Sequence, residues 1–571
     1  MRNGGNQVQY SIRRAGIWLT GFFLSLSCAA SLAQDVGRLE KVADILAKEQ
    51  KFSGSVLVAK GNQVLLSRAY REANVEWGIP NRPDTRFRLG SITKQFTAAS
   101  VLLLADRGHL KLSDSIGQYL TNLPAAWRPV TIQQLLTHSS GIRSFTSLPG
   151  YEAVERQAAA PGQVLATVRD LALDFEPGTR FDYSNSGYVL LGMLIEKISG
   201  DSYAQFLQKN VFDPLRMRDS GYDTNTKLVP RRASGYQQTE RGLDNAGYID
   251  MSVPYAAGGL YSTTSDLLRW QRALYEGKLL SADSLRAMTS PFLDHYALGL
   301  FVQDGPDGKQ FGHGGNIEGF STAVAYRPAE RISVILLSNV ERTDLGQLER
   351  ALFQVALGRS IVLPAERKAI SLGSGQLNKI AGLYLLPDGT KFRVKVVGKG
   401  LDTRRGADEW IPFFAEGENR FFARKVDAQL DVLRSAEGYA DALALLQDGN
   451  RVVMRREVDK GPDFAAVPLY LRGEMNDWGV ENQMRKEDAN RFAVTLKLDK
   501  RHYSFKLGSE DFKAIDFGGL QGKSSIVPGQ AVELEEYGGN LDVDIREAGN
   551  YRFVLELSDG RAPKLEIKRI D

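Results

Sequence analysis

Leu89-Gly90-Ser91-Ile92-Thr93-Lys94 heads a stretch, 91 to 108, in which apolar residues recur at helical spacing. A serine at that end of a helix lies among backbone N–H groups without intrahelical acceptors, at the positive end of the helix dipole. An oxyanion is favoured there. Lys94, three residues on, falls one turn along the same face, which brings its amine towards the Ser91 hydroxyl. An ordinary lysine, with a pKa of about 10.4, is protonated at neutral pH, so service as a base requires burial or a neighbouring positive charge. Taken alone, the tetrapeptide also reads as a serine N-cap followed by a solvent-facing lysine.

Two further motifs share the chain with it. Ser91-Ile92-Thr93-Lys94 is the only Ser-x-x-Lys present, and Tyr183-Ser184-Asn185 is the only Tyr-x-Asn, inside Phe181-Asp182-Tyr183-Ser184-Asn185-Ser186-Gly187-Tyr188. A phenol close to a lysine cation ionises more readily and can serve as general base and acid, while an asparagine amide can orient a substrate amide or the lysine. The third motif is His313-Gly314-Gly315, between the strand-like runs 309–311 and 320–326. Its glycines allow a strand edge to approach a ligand closely. The N–H of Asn316, just beyond, can pair with that of Ser91 as an oxyanion hole.

In this order the three motifs resemble those of the serine β-lactamase and penicillin-binding-protein superfamily, whose first signature is Ser-x-x-Lys. Tyr-Ser-Asn in place of a Ser-Asp-Asn motif makes the resemblance closest to the class C branch, with its D-aminopeptidases, D-Ala-D-Ala carboxypeptidases and esterases, over residues 40 to 358. Leu135-Leu136-Thr137-His138-Ser139-Ser140-Gly141, Glu176-Pro177-Gly178 and Ala257-Gly258-Gly259-Leu260-Tyr261-Ser262 are similar to phrases of that family, with His138 read as structural. The resemblance implies Ser91 as the acylated nucleophile and Lys94 and Tyr183 as proton carriers. It implies Asn185, His313, Gly314 and Gly315 as substrate-binding positions, and the Ser91 and Asn316 amides as oxyanion donors.

No Glu-x-x-Leu-Asn occurs, so the deacylating glutamate of class A enzymes has no counterpart, which leaves Tyr183 as the expected base. His313-Gly314-Gly315 replaces the family's usual Lys-Thr-Gly and lacks the fixed cation and hydroxyl that hold a β-lactam or peptide carboxylate. An esterase or D-aminopeptidase working through an acyl-serine on a small-molecule, peptide or ester substrate is therefore the expected activity. The alternatives are a penicillin-binding D-Ala-D-Ala carboxypeptidase or β-lactamase of the cell envelope, and a non-catalytic glycan- or envelope-binding protein. No cofactor is implied. No metal is expected either, because the five histidines, 109, 138, 295, 313 and 502, are too scattered for a local ligand motif.

Around these motifs, 53–60 and 63–71 read as strands joined by a tight turn at Gly61-Asn62. The segments 131–137, 163–173, 186–198 and 203–211 read as helices, 320–326 and 332–337 as strands, and 345–357 as a closing helix. Strands from both ends of 35–360 joined in one antiparallel sheet, with helices on both faces and a helical lobe, make an α/β sandwich of the β-lactamase-like fold class. Residues 361–460 alternate as a small β-barrel that resembles the lipocalin-like appendages of other superfamily members. Residues 461–571 read as a β-sandwich, similar to the immunoglobulin-like carbohydrate-associated modules of pullulanases. Leu469 to Trp478 and His502 to Gly508 carry that likeness, and Trp478 is the candidate for stacking on a glycan.

The N-terminus has a separate logic. Arg13-Arg14, the apolar run from Ala15 to Leu26 and small residues ending at Ala33 predict a signal peptide cleaved after Ala33, and so a periplasmic or secreted protein. A membrane anchor is the alternative, but the run is shorter than the roughly 18–20 residues of a bilayer span, so no stable span is expected after cleavage. Lipidation at Cys28 and twin-arginine export stay open. Cys28 is the only cysteine, so a chain cleaved there would form no disulfide. Such a chain would carry 69 basic against 68 acidic side chains, with no basic run able to track phosphates, which excludes nucleic acid as an expected partner.

Overall fold

In the computed structural model, strand β1 (Gly54–Lys60) turns back into β2 (Gln63–Tyr70) through Gly61 at φ +54°, the left-handed geometry a tight hairpin needs. The described residues are 36–49, 51–239, 241–305, 308–434, 440–447, 450–457, 467–488, 490–512, 515–520, 525–558 and 561–571. The expected signal segment 1–33, with Cys28, lies outside them. The chain divides into two units between Ile361 and Val362.

In the first unit, β3 (Phe301–Gly305), β4 (Gly308–Ile317), β5 (Phe320–Arg327) and β6 (Ile332–Ser338) join the hairpin in one antiparallel sheet of order β3-β4-β5-β6-β1-β2. Gly54 pairs with Ser338 and Lys60 with Ile332, so the sheet's first and last strands in sequence are neighbours inside it. Side chains alternate across a strand. Leu57 and Ala59 enter the main core with Ile335 and Leu337, while Val56, Val58, Val334 and Leu336 are buried on the opposite side. Covered on both faces, β5 and β6 are buried along their whole length and carry the apolar runs 323–326 and 334–337.

Helices follow the 36–49 helix in the order Thr93–Asp106, Asn185–Ser199, Thr264–Tyr275 and Gly346–Ala356. The helix Thr93–Asp106 is buried on every side from Thr93 to Leu104, the mark of a core helix. Phe96 on it stacks on Trp270 with ring centroids 4.0 Å apart, a contact worth about 0.5–1.5 kcal/mol beyond burial. The expected helix 163–173 forms only over Pro161–Ala166. The Thr167 hydroxyl closes back on the Val164 carbonyl at 2.7 Å, and Leu171, 38% exposed, has little core to pack on. Among the described residues no helix is long and apolar enough to cross a membrane.

In the second unit, eight strands from Gly382–Leu385 to Asn450–Glu457 close a barrel, the last pairing with the first at Leu383 and Glu457. Among the described residues ten further strands form one hydrogen-bonded sheet, continuous where Asp516–Gly519 pairs with Ala531–Glu536. It folds over a single core in which Phe505 and Phe553 meet edge to face, 5.6 Å apart. Glu535 and Glu536 of this sheet reach the barrel wall. Glu536 pairs with Lys391, at 2.9 Å, and with Arg393, while Glu535 accepts from the Trp410 indole at 2.6 Å.

Candidate active site

Two short strands hold the turn that presents Ser91. Phe87–Arg88 pairs with Leu260–Ser262, and the Leu89 N–H donates to the Leu260 carbonyl at 2.8 Å. Arg88 bonds the fully buried Asp223 at 2.8 Å, and Arg232 takes its other oxygen at 2.6 Å. Gly90, at φ +54°, then starts a single 3₁₀ turn, Gly90–Ile92, that runs directly into the core helix. Ser91 is half-buried at this junction.

Lys94 is completely buried, and burial holds its pKa well below the ordinary lysine value. Its Nζ stands 3.1 Å from Ser91 Oγ, 2.8 Å from Asn185 Oδ1 and 2.9 Å from the Ala257 carbonyl. Two of these neighbours can only accept. A neutral amine has two protons for the two carbonyls and one lone pair left for the Ser91 O–H. The burial that sequence reasoning required is thus present, and the geometry suits the unprotonated form.

Tyr183 lies beside them. Lys94 Nζ is 4.7 Å from the centre of its ring. The Tyr183 hydroxyl is buried without a partner at hydrogen-bond distance, and Ser91 is the polar side chain that acts on it. Burial pushes the phenol above its ordinary pKa, so it is a neutral O–H. The expectation that Tyr183 is the base therefore meets opposite pKa directions: burial makes Lys94 the better proton acceptor and Tyr183 a donor.

His138 is the pedestal of this tyrosine. At φ +55°, it accepts the Ser184 N–H on Nδ1 at 3.0 Å, its carbonyl accepts the Asp182 N–H at 2.9 Å, and its ring lies 4.1 Å from that of Tyr183. Burial keeps the imidazole neutral. Ser184 in turn caps the helix Asn185–Ser199, accepting the Gly187 N–H, which points Asn185 at Lys94. Thr146 Oγ1 accepts from Asn185 Nδ2 at 3.0 Å and fixes which end of the amide faces the amine.

His313-Gly314-Gly315 lies inside β4 rather than in a turn. Gly315 explains why: a Cβ there would stand 2.0 Å from the Leu89 carbonyl and 2.5 Å from Thr322 Oγ1. A Cβ on Gly90 would meet the Asn316 oxygen at 2.9 Å and nitrogen at 3.0 Å, so the Asn316 peptide borders Ser91. The Asn316 side chain turns away and accepts from Ser321 Oγ at 2.9 Å. Asn316, just past the motif, lines the cavity beside Ser91, and the His313 ring centre lies 6.2 Å from that of Tyr183. His313 is buried, with Nδ1 2.5 Å from the Gly314 carbonyl and Nε2 3.1 Å from the Tyr296 hydroxyl. Burial brings its pKa down to about 3, so it carries no charge at neutral pH. Gly314 faces the other side of the pleated strand.

The cavity beside Ser91 measures about 220 Å³, and Asn185, Phe145, Tyr151, Asn316 and Glu318 stand on its wall. Sequence reasoning missed Glu318, although it stands two residues past Asn316. Its Oε2 is buried with no partner, and burial together with the nearby Glu155 and Glu341 raises its pKa. Glu155 is itself buried. Such a carboxyl group is a ready acceptor for a cation or a strong donor. Trp478 belongs to the second unit, half-buried in a turn whose carbonyl at Trp478 accepts from Arg472 Nε at 2.8 Å. Among the described residues no group of three His, Cys, Asp or Glu side chains could hold a metal ion.

A family model described as beta-lactamase matches residues 40–357. Penicillin-binding protein 4* of Bacillus subtilis is 28% identical over 442 residues, covering 72% of this chain and 96% of that protein. The octameric penicillin-binding protein homologue from Pyrococcus abyssi superposes with a TM-score of 0.53 at 27% identity, over 74% of this chain and 100% of that one. D-amino acid amidase from Ochrobactrum anthropi, 23% identical, shares the fold with a TM-score of 0.50 over 57% of this chain and 99% of its own.

Proposed function

The chain belongs to the β-lactamase family, whose match spans residues 40–357, and on that premise we propose that it hydrolyses amides or esters of amine-bearing acyl groups through an acyl-serine. The supporting observation is the buried Lys94 amine, held by two carbonyls with its third contact on Ser91 Oγ. Ser91 Oγ attacks the acyl carbon as its proton passes to Lys94. The developing oxyanion faces the Ser91 and Asn316 N–H groups, where one such donor is worth about 10²- to 10³-fold in rate. Tyr183 gives its proton to the departing nitrogen or oxygen, which leaves a Tyr183 phenolate beside a Lys94 cation in the acyl-enzyme. Water then releases the acyl group by the reverse transfers, restoring Ser91 and leaving a carboxylic acid.

Glu318 supports the choice of acyl group. A carboxyl group on the cavity wall, with one oxygen unpartnered and Glu155 beside it, suits the ammonium of a D-aminoacyl substrate, whereas the neutral His313 offers no cation to a substrate carboxylate. Hydrolysis of D-phenylalanine amide against N-acetyl-D-phenylalanine amide tests this reading. We expect the free amine to be preferred by at least tenfold in kcat/KM, and equal rates would reject it. A second reading, penicillin-binding peptidase, is favoured by the name of the Bacillus subtilis relative, and covalent labelling of Ser91 by a fluorescent penicillin would establish it. We further propose export through residues 1–33, which N-terminal sequencing of the protein from its own cell would reveal as a start at Gln34.

A further inference from the structure

The barrel of the second unit is filled at one end and hollow at the other. Leu377 and Ile380, both fully buried, plug one end beneath the short helix Ser374–Asn378, and Leu401, Phe421, Leu430 and Met454 fill the space above them. Towards the other end the inward positions include the small Thr403 and Ala428, and a cavity of about 800 Å³ opens between the strands. An eight-stranded barrel has room either for its own side chains or for one small ligand. Here the upper half has room for the ligand, in the size range of small-molecule sites, roughly 300–1,000 Å³.

The lining decides the chemistry. Phe392, Ile411, Phe413, Val426, Leu445 and Val452 face the space. Ile411, Val426, Leu445 and Val452 pack on the barrel core yet are only partly buried, so apolar surface inside a closed barrel is left uncovered by the protein. Burying it is favourable by about 25 cal/mol per Å². Charge is confined to the rim, where Arg405 stands 3.7 Å from Asp388 and Lys425 lies 2.6 Å from Glu409. Among the residues lining the cavity itself the charged ones are Asp388, Asp408 and Glu409 with Arg405, three acids to one base.

We propose that the barrel binds one lipid-like molecule, with an aliphatic chain inside the cavity and an uncharged or cationic head group at the acidic rim. The site is independent of the chemistry assigned to Ser91. The test is a titration of the full chain with N-phenyl-1-naphthylamine, whose fluorescence rises on leaving water, followed by displacement with dodecan-1-ol, dodecylamine and dodecanoate. The expected result is one saturable site per chain, displaced by the alcohol and the amine at lower concentration than by the carboxylate. Leu445→Trp and Val452→Trp, which fill the space, should weaken probe binding at least tenfold while keeping the wild-type far-ultraviolet circular dichroism. Absence of a saturable site, unchanged affinity in both folded variants, or tighter binding of dodecanoate than of dodecylamine would overturn the proposal. A diazirine-bearing dodecanol tests the wild-type chain without any variant. Adducts within 386–452 support the site, and adducts confined to other segments overturn it.

Discussion

Ser91 Oγ lies 3.1 Å from Lys94 Nζ, and the same nitrogen is tied to two carbonyl oxygens that cannot donate a proton. The serine hydroxyl is the one neighbour of the three able to give a proton to an unprotonated amine. Because burial lowers the Lys94 pKa, the active form should persist well below the pH at which ordinary lysines lose their proton. The acid limb of kcat/KM should therefore rise to its plateau below pH 10, and Lys94→Met should lower kcat by about 10²- to 10⁴-fold. A limb centred on the ordinary lysine pKa in the stopped-flow pH profile would speak against a lysine base.

Tyr183→Phe separates chemistry from stability. Ser91, the polar side chain that acts on the hydroxyl, keeps Lys94 as a partner when it is removed, and the ring keeps its place on His138. The urea midpoint should stay within experimental error of wild type while kcat for a poor leaving group such as an amide drops by about 10²- to 10⁴-fold. An activated ester, whose leaving group needs no proton, should lose far less. Equal losses on both substrates would deny Tyr183 the part of proton donor.

Glu318→Gln addresses selectivity. A charge-assisted hydrogen bond to a substrate ammonium is worth about 1.5–3 kcal/mol, or roughly 10- to 100-fold in binding. The substitution should raise KM for D-phenylalanine amide by that factor and leave the N-acetylated amide unaffected. Parallel changes in both would place the amine elsewhere.

Acid stability follows from two buried imidazoles. Burial lowers the pKa of His138 and brings that of His313 to about 3, whereas in the unfolded chain each takes a proton near pH 6.5. As pH falls below 6.5 the unfolded state gains protons that the folded state refuses. The stabilisation is complete above that pH and declines towards pH 3. Urea midpoints should fall between pH 7.5 and 4.5, and by less in His313→Gln, whose amide can still donate to Gly314 and accept from Tyr296. An unchanged slope in the variant would remove His313 from the account.

Much of the first unit was legible because local rules and the final fold agree. Gly61-Asn62 announced a hairpin that ends the sheet at one edge, and the strand-like runs 320–326 and 332–337 became β5 and β6. Ser91 and Lys94 were paired by spacing, Tyr183 and Asn185 by their motif and the family resemblance, and the structure brings the four together. What spacing could not show was depth. His313 shares a strand face with Gly315, yet its burial between the Gly314 carbonyl and the Tyr296 hydroxyl came from packing that the motif does not show. Glu318 gave no signal beyond its distance from Asn316, since its meaning comes from Glu155, far away in sequence. The hollow of the barrel depends on which small residues meet across strands, a property of register rather than composition.

The acyl-enzyme itself is the most direct test. The full chain, mixed with a chromogenic D-phenylalanine ester and quenched in acid within milliseconds, should show by intact mass one added D-phenylalanyl group, located by peptide mapping on Ser91 and absent from Ser91→Ala, which should also lose turnover. An adduct on another residue, or undiminished turnover in Ser91→Ala, would contradict the account.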